Sequence, residues 1–268
     1  MANLDLDYLA EALSGAAIGG RIRFREELGS TNDEALTLGA DGFPHGMVVI
    51  ADRQTAGRGR RGAVWESPAG KNLYLSVLLR PTTDVRLWPR ITTLVALAVS
   101  RALEATADVR AQIKWPNDIY VDDRKIAGIL TETRVSGDEE DRFIVAGTGI
   151  NVFSESEDFH EELRPIATSL RLADSKFTAT REDVLIAYLR NLQSLISQID
   201  DHPFSEVLAE VTRRSWLIGR QVKWSTAAGP DESGHALSLD EMGGLVVQLP
   251  NGDRRVLNSV ERIRRSQS

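Results

Sequence analysis

The sequence predicts an α+β fold in which a mixed β-sheet carries packed helices and a small β-barrel follows at the C-terminal end. Two observations support this prediction. Strand patterns cluster in the middle of the chain, with helical patterns before, between and after them. That order favours one sheet with helices packed on it over a doubly wound fold. From Trp216 onward, short strand patterns alternate with turn signals and no helical pattern is found.

The region before Trp216 supplies the elements of the predicted sheet. Apolar residues at helical spacing predict a short helix over Leu4 to Leu13, and residues 21–27 alternate as a strand. A second helix begins at Ser30 and runs to about Gly39. Further strands are predicted at residues 47–52, 72–79, 111–115, 119–121, 125–134 and 142–151, and further helices at 87–105 and within 161–215.

The C-terminal region reads as an appended all-β unit. Its predicted strands are residues 221–225, 236–239, 245–249 and 254–257. Asn251-Gly252 is a strong hairpin signal between the last two. We therefore expect a main domain over residues 1–215 and a barrel over residues 216–268.

Composition narrows the class of protein. A chain of 268 residues with 42% hydrophobic residues can bury one main core and a smaller second one. The net charge of −7 argues against a general nucleic-acid binder. The absence of cysteine excludes disulfides, cysteine-ligated zinc and a thiol nucleophile, and the histidines fall at no metal-ligand spacing. The sequence has no apolar run of membrane-spanning length and no signal sequence, which favours a cytoplasmic protein.

The most informative segment is the loop at residues 56–67. Its glycines spell G-x-G-x-x-G, yet a turn and a strand follow where a dinucleotide-binding loop needs a helix. The loop instead holds Arg58, Arg60 and Arg61 among the glycines, with Trp65 at its end. Glycine permits close backbone approach and arginine binds anions, so the loop suits the phosphates and base of a nucleotide. A solvated surface loop with scattered arginines is the alternative.

A second polar group is predicted where the first strand meets the second helix. Ser30, Thr31 and Asn32 offer three short hydrogen-bonding side chains for the polar head of a ligand, and Gln54 follows a buried strand that could bring it to them. Thr31-x-x-Glu34 also fits a capping box, and helix capping alone is the stronger reading of this segment.

Three later segments place polar residues or glycines at strand ends. Residues 114–118 read Lys-Trp-Pro-Asn-Asp, which joins a cation and an aromatic ring to ordinary turn chemistry. Lys125 heads an apolar strand in which Gly128 marks a close backbone approach, although a polar hairpin tip is the simpler interpretation. Residues 147–151 end a strand with two glycines and Asn151, whose amide can read an adenine edge.

Taken together and in this order, these segments resemble the biotin–protein ligases. The seven matching segments are residues 29–32, 52–62, 65–70, 72–76, 114–118, 125–130 and 147–151. The resemblance implies a class II synthetase-like catalytic fold and, more loosely, an SH3-like C-terminal barrel. The chain departs from the family at Ala63-Val64, where another arginine often continues the loop.

The resemblance also implies an activity. The family makes biotinyl-5′-AMP from biotin and ATP with Mg²⁺, then passes the biotinyl group to a lysine of a biotin carboxyl carrier protein, as in acetyl-CoA carboxylase. The implied catalytic residues are Lys125, Arg58 and Arg60, with no protein ligands to a metal. The implied biotin-binding residues are Ser30, Thr31, Asn32, Gln54, Arg58, Gly59, Arg60, Lys125 and Gly128, and the adenylate-binding residues are Arg58, Arg60, Arg61, Trp65, Lys114, Asn117 and Asn151.

Two other functions remain open at this point. A lipoate–protein ligase runs the same two steps on a different acid, and the head-group residues and arginine loop favour biotin over it. A non-catalytic biotin sensor would keep the adenylate as a corepressor. About 28 residues precede Gly29, which is too few for a winged DNA-binding domain, so we expect no repressor role and no nucleic-acid partner. Sheet edges could serve a homodimer or the docking of the carrier.

Overall fold

The structure, a computed structural model, describes residues 4–135, 138, 141–197, 199, 204–226 and 230–266. Its main feature is a seven-stranded mixed sheet in the order β1-β2-β3-β7-β6-β5-β4. The first two strands pair in parallel and the other neighbours are antiparallel. In chain order the strands are β1 (Arg21–Leu28), β2 (Met47–Gln54), β3 (Leu73–Leu79), β4 (Gln112–Lys114), β5 (Asp118–Val121), β6 (Arg124–Arg134) and β7 (Phe143–Ile150).

Helices cover both faces of this sheet. Successive side chains of a strand point to opposite faces, so Val48 and Ile50 join the larger core with α3 and α5, while Val49 packs with α2. Every residue of β3 is buried, and burial on both faces explains why the strand is apolar apart from Ser76. The helices are α1 (Leu6–Ala12), α2 (Thr31–Ala40), α3 (Arg90–Thr106), α4 (Leu170–Ala173), α5 (Arg181–Ile196) and α6 (Phe204–Arg213).

The start of α3 differs from the sequence prediction. We expected the helix to begin at Leu87, but it begins at Arg90, after a short 3₁₀ turn over Val85–Leu87. Pro89 occupies the N-cap of α3, where its missing N–H leaves no helical hydrogen bond unmade. Asp84 accepts a hydrogen bond from the Arg86 backbone and caps the 3₁₀ turn.

The C-terminal region forms a second, five-stranded antiparallel sheet in the order β11-β10-β9-β8-β12. Gly252 in the predicted hairpin turn has φ +90°, the left-handed conformation that such turns need. We did not predict the last strand, because arginines surround Ile263, its only buried residue. The strands are β8 (Gln221–Ser225), β9 (Glu232–Leu239), β10 (Leu245–Gln248), β11 (Arg254–Leu257) and β12 (Arg262–Arg265).

The mixed sheet with packed helices, followed by a C-terminal sheet, agrees with the predicted fold class. The second sheet has its own apolar core, around Trp224 and Leu245. Trp115, which follows β4, is buried in that same core and donates a hydrogen bond from its indole N–H to the Gly243 carbonyl at 2.9 Å. The boundary between residues 215 and 216 stays a prediction. In the described residues no helix has the length and apolarity that a membrane crossing requires.

A buried ion pair joins α5 to the main sheet. Arg181 Nη1 lies 2.7 Å from Asp52 Oδ1, and the side chains are 5% and 11% exposed. The same nitrogen lies 3.3 Å from the Asn72 carbonyl. Asn72 is itself buried, and its side chain bonds Tyr74, whose hydroxyl donates to the Pro68 carbonyl at 3.1 Å. This network fastens both ends of the loop between β2 and β3.

Asp52→Asn keeps the shape of this side chain but removes the negative charge that faces the Arg181 guanidinium. Removing one partner of a buried ion pair is strongly destabilising, so we expect a loss of about 3 kcal/mol in the free energy of unfolding, measured by urea denaturation. Glu27→Gln, in an exposed pair with Arg53, is the control and should leave the unfolding midpoint unchanged. Equal midpoints for Asp52→Asn and the unmodified protein would contradict the expectation.

Candidate active site

A cavity of about 500 Å³ opens on the main sheet beneath the arginine loop. Its wall combines the first residues of α2, the end of β2, the loop, and the central parts of β6 and β7. The C-terminal region contributes Glu261. The lining residues are Ser30, Thr31, Asn32, Gln54, Arg58, Gly59, Arg60, Arg61, Gly62, Ala63, Val64, Trp65, Asn117, Asp118, Lys125, Gly128, Ile129, Leu130, Gly147, Thr148, Gly149 and Glu261.

One end of the cavity is an uncharged polar pocket. Thr31 donates from its backbone N–H and from its hydroxyl to Gln54 Oε1, at 2.8 and 3.1 Å. Gln54 Nε2 in turn donates to Ser67 Oγ at 3.0 Å. The Ser76 hydroxyl lies 2.8 Å from Thr31 Oγ1 and 2.6 Å from Asn32 Oδ1. Each side chain is therefore held in one orientation by its neighbours.

The capping-box interpretation of this segment is wrong. The N-cap of α2 is Ser30, and its side chain makes no capping hydrogen bond. Thr31 is the first helical residue and bonds Gln54 instead, while Glu34 pairs with Arg23 at 3.0 Å. Because the helix start is not capped by these side chains, they remain directed at the cavity.

Glycines on β6 and β7 let other side chains approach the sheet closely. A Cβ at Gly147 would lie 1.9 Å from Asn32 Oδ1, so only glycine leaves room for that amide. Gly128 and Gly149 are paired across the two strands, and Cβ atoms there would lie 2.8 Å and 2.4 Å from the Trp65 ring. The indole therefore packs directly on the backbone of these two glycines. Its Nε1 is buried without a hydrogen-bond partner among the described residues.

The arginine loop folds as a tight hairpin with no helix after it. Gly59 N–H donates to the Ala63 carbonyl at 2.6 Å, and Trp65 N–H donates to the Gly57 carbonyl at 2.9 Å. Arg61 and Gly62 at the tip take left-handed conformations, with φ +57° and +76°. The chain then enters β3, so the dinucleotide-binding interpretation fails on structure as it did on sequence.

Three of the four cations around the cavity have carboxylate partners. Arg58 lies 2.7 Å from both Glu132 Oε2 and Asp33 Oδ1. The other two pairs are Arg61 with Glu261 at 3.1 Å and Lys125 with Asp118 at 2.7 Å. The Lys125 ammonium also lies 5.2 Å from the centroid of the Trp65 ring. These charges are largely balanced before any substrate arrives.

Arg60 differs from the other three. Within the described ranges its guanidinium has only neutral hydrogen-bond acceptors, Asn117 Oδ1 at 3.1 Å and Ser259 Oγ at 3.3 Å. Burial, followed by the nearby charge of Arg61, lowers the pKa of Arg60. The charge of the Asp118 carboxylate acts in the opposite direction, but no carboxylate is hydrogen-bonded to Arg60 among the described residues. The half-buried guanidinium is therefore a strong attractor for an anion.

Two predicted site residues lie outside the cavity. Lys114 donates to the Tyr120 hydroxyl at 2.9 Å and sits over the Tyr120 and Trp216 rings, where burial lowers the pKa of its ammonium. Asn151 is buried and donates to the Thr168 carbonyl at 3.0 Å. The adenylate-binding roles predicted for these two residues are therefore not part of our proposal.

Other residues that shape the site were not predicted from the sequence. Asp118 and Ser76 belong to matched segments, so the motifs contained their signal but no role was assigned to them. Glu132, Ser259 and Glu261 carry no local signal, because each meets the loop only through the fold.

Comparison with known proteins agrees with the family resemblance found in the sequence motifs. Residues 28–151 match the Biotin/lipoate A/B protein ligase family. The biotin--[acetyl-CoA-carboxylase] ligase of Mycobacterium tuberculosis is 34% identical over 263 residues, covering 96% of this chain and 93% of that protein. The bifunctional ligase/repressor BirA of Bacillus spizizenii is 34% identical over 249 residues, covering 92% of this chain and 75% of that protein.

A solved structure agrees with these relatives. Biotin protein ligase from Aquifex aeolicus, in complex with biotin and ATP, matches with a TM-score of 0.78 at 30% identity, covering 92% of this chain and 99% of that chain. Fold and site thus define a ligase of the biotin/lipoate class. The chain belongs to the biotin–protein ligase family, as the resemblance of its motifs predicts.

Gly149→Ala should displace the Trp65 ring from the backbone of β7, because the new Cβ would lie 2.4 Å from Cε2 of the ring. The measurement is acrylamide quenching of Trp65 emission, taken as the difference between each protein and its Trp65→Phe counterpart, since the chain has five tryptophans. We expect greater quenching in Gly149→Ala. Gly29→Ala, where a Cβ meets nothing within 4 Å, is the control. Unchanged quenching would show that the ring does not rest on Gly149.

Proposed function

We propose that this chain activates biotin with ATP to form biotinyl-5′-AMP and pyrophosphate, then transfers the biotinyl group to a lysine of a biotin carboxyl carrier protein. One observation carries the proposal. A single cavity is lined by a group of uncharged hydrogen-bonding side chains, by Lys125 and by Arg60, which has no hydrogen-bonded carboxylate among the described residues. That polarity matches a molecule with a neutral polar head and an anionic tail.

The polar pocket would hold the ureido head of biotin. A ureido group carries two N–H donors and a carbonyl acceptor, and burying any of them without a partner costs about 1–3 kcal/mol. Ser30, Thr31, Asn32 and Gln54 offer both donors and acceptors at this end. Gly59 and Gly128 would let backbone and ring atoms approach the ligand closely.

The first step brings two anions together. A carboxylate oxygen of biotin forms a bond to the α-phosphorus of ATP, and the bond from that phosphorus to pyrophosphate breaks. Arg60 and Lys125 would stabilise the negative charge that builds in this transition state, with Arg58 beside them. Arg61, Trp65 and Asn117 would contact the adenylate, and the loop would shield the mixed anhydride from water.

Magnesium enters the proposal as the partner of the ATP phosphates. The described residues contain no group of three histidine, aspartate or glutamate side chains that could hold a metal ion. No residue of this chain is therefore assigned as a ligand to the ion, and neither step of the proposed reaction uses a metal held by the protein.

In the second step, the amine of the carrier lysine attacks the acyl carbon of the adenylate. The C–N bond forms, the bond from the acyl carbon to the AMP oxygen breaks, and the amine loses a proton. The Asp118 carboxylate lines the same cavity and is 2.7 Å from Lys125, so it is placed to receive that proton.

Partners and location complete the proposal. β1 is an edge strand of the main sheet, and an open edge can pair with a carrier or with a second copy in a homodimer. The net charge of −7 supports the absence of nucleic-acid binding and suits a cytoplasmic enzyme.

The activity is tested by mixing the protein with biotin, ATP and Mg²⁺ and following pyrophosphate release, then adding an apo carrier domain and detecting biotinylation by mass spectrometry. Calorimetry with biotin, lipoate and octanoate, each with a non-hydrolysable ATP analogue, measures the choice of acid. Preference for lipoate would assign the sister activity, and adenylate formation without transfer would assign a sensor.

Lys125→Ala should lower the rate of adenylate formation by a factor of roughly 10² or more, the scale of losing one preorganised charge. Pyrophosphate release at saturating biotin and ATP measures it. Lys223→Ala removes a lysine whose ammonium pairs with Asp231 on the second sheet, and serves as the matched control. Near-normal turnover of Lys125→Ala would remove Lys125 from the mechanism.

Gly147→Ala tests the head-group pocket without removing a polar atom. The added Cβ would force Asn32 out of position, and we expect biotin affinity to fall roughly tenfold or more as its hydrogen bonds are lost. Calorimetry gives the affinity, and Gly29→Ala again provides the control. If Gly147→Ala bound biotin as tightly as the unmodified protein, the Asn32 amide could not be a head-group contact.

A further inference from the structure

Glu132, on β6, connects the two ends of the cavity. Its Oε1 accepts from Arg58 Nη1 at 3.0 Å, and its Oε2 accepts from Arg58 Nη2 at 2.7 Å. The same Oε2 accepts from Asn32 Nδ2 at 2.7 Å. One carboxylate thus holds a loop arginine in a two-point contact and an amide of the polar pocket at once.

The contacts of Asn32 fix which way its amide points. The nitrogen faces two acceptors, Glu132 and the Leu130 carbonyl at 3.1 Å. The oxygen faces the Ser76 hydroxyl at 2.6 Å. With the nitrogen held between two oxygens, a flipped amide would set oxygen against oxygen. Glu132 and the Leu130 carbonyl together occupy both amide N–H groups, so the amide offers its oxygen to the cavity.

The same contact neutralises Arg58. A bidentate carboxylate and the further contact with Asp33 leave this guanidinium with more negative than positive charge around it. Arg60, in contrast, meets only neutral acceptors in the part of the chain that the structure describes. The two arginines therefore differ in kind, and Arg58 is placed to fasten the loop to β6.

We propose that Glu132 is a positioning residue for substrate recognition, which orients the Asn32 amide toward the head group and ties the arginine loop to the sheet through Arg58. This inference rests on the proposed function, since the head group concerned is that of biotin. Because Glu132 touches Asn32 as well as Arg58, its loss should weaken head-group binding even for a ligand that has no carboxylate.

The test uses Glu132→Gln in the full chain. Three donors point at this side chain, and glutamine turns its own NH₂ toward at least one of them. The control is Asp33→Asn, which also removes a carboxylate from Arg58. Among the described residues, the side-chain amide of Asn32 bonds Leu130, Glu132 and Ser76 and not the Asp33 carboxylate. Calorimetry measures the affinity of each protein for biotin and for biotinamide, the neutral amide of the same acid.

We expect Glu132→Gln to weaken biotinamide binding roughly tenfold or more, the usual effect of losing a hydrogen bond to a charged group. Biotin binding should fall by a smaller factor, because an Arg58 freed from Glu132 gains access to the ligand carboxylate. Asp33→Asn should bind biotinamide like the unmodified protein. A general folding defect would instead lower both affinities by the same factor.

Two results would overturn the inference: unchanged biotinamide affinity in Glu132→Gln, or an equal loss in Asp33→Asn. Glu132→Asp keeps the charge but withdraws the carboxylate by one methylene, and should show the same selective loss if the glutamine variant does not fold. Failure of the unmodified protein to bind biotin and biotinamide would count against the proposed function itself. That result is distinct from binding that persists in every variant.

Discussion

Four basic side chains surround one cavity of an acidic protein, and the arrangement of the site depends on how their charge is balanced. Two like charges 4 Å apart repel by about 4 kcal/mol at an effective dielectric constant of 20. The fold supplies Glu132, Glu261 and Asp118 as partners for three of these cations. The pairs made by Arg58 and Arg61 hold the loop against β6 and the C-terminal region. The ion pairs that balance the charge therefore also hold the loop in place as one wall of the cavity.

The second constraint is space. Asn32 and Trp65 approach the sheet so closely that only glycine fits beneath them, at Gly128 on β6 and at Gly147 and Gly149 on β7. Glycine in a strand ordinarily weakens it by roughly 0.5–1 kcal/mol relative to alanine, and the sheet accepts that cost on both β6 and β7. Close approach lets an amide and an aromatic ring lie on the sheet itself. The polar pocket thus takes its rigidity from the backbone beneath it.

The sequence predicted the parts of this molecule whose signals are local. Short, mainly apolar runs located β2 and β3, which are buried on both faces, and the glycine–arginine motif located the loop. The counter-ions had no such signal, because Glu132 and Glu261 stand 74 and 200 residues along the chain from the arginines they meet. The missed strand β12 carries one buried side chain among arginines, too little for a pattern. The counter-ions and strand β12 depend on contacts between residues distant in the chain, and not on the local propensity of the sequence.

Lys114 and Asn151 show how a motif can place a residue without directing its side chain. Gly147 and Gly149 line the cavity, but β7 ends at Ile150, and the side chain of Asn151 donates to the Thr168 carbonyl instead. Lys114 and Asp118 are paired residues on neighbouring strands, yet Lys114 turns to the Tyr120 and Trp216 rings. Its ring contacts give the ammonium an alternative to the cavity. The orientation of Lys114 depends on rings that lie outside residues 114–118, so the motif alone does not predict it.

The balance of charge also determines which cation an anionic ligand can contact at the lowest cost. An anion that binds Arg58 must compete with a bidentate carboxylate, and one that binds Lys125 must compete with Asp118. Arg60 holds only two neutral acceptors within the described chain, and exchanging these for an anion gains a charge-assisted hydrogen bond without displacing an ion pair. An incoming carboxylate or phosphate should therefore meet Arg60 at the lowest cost. The remaining cations would then engage as their own counter-ions are displaced.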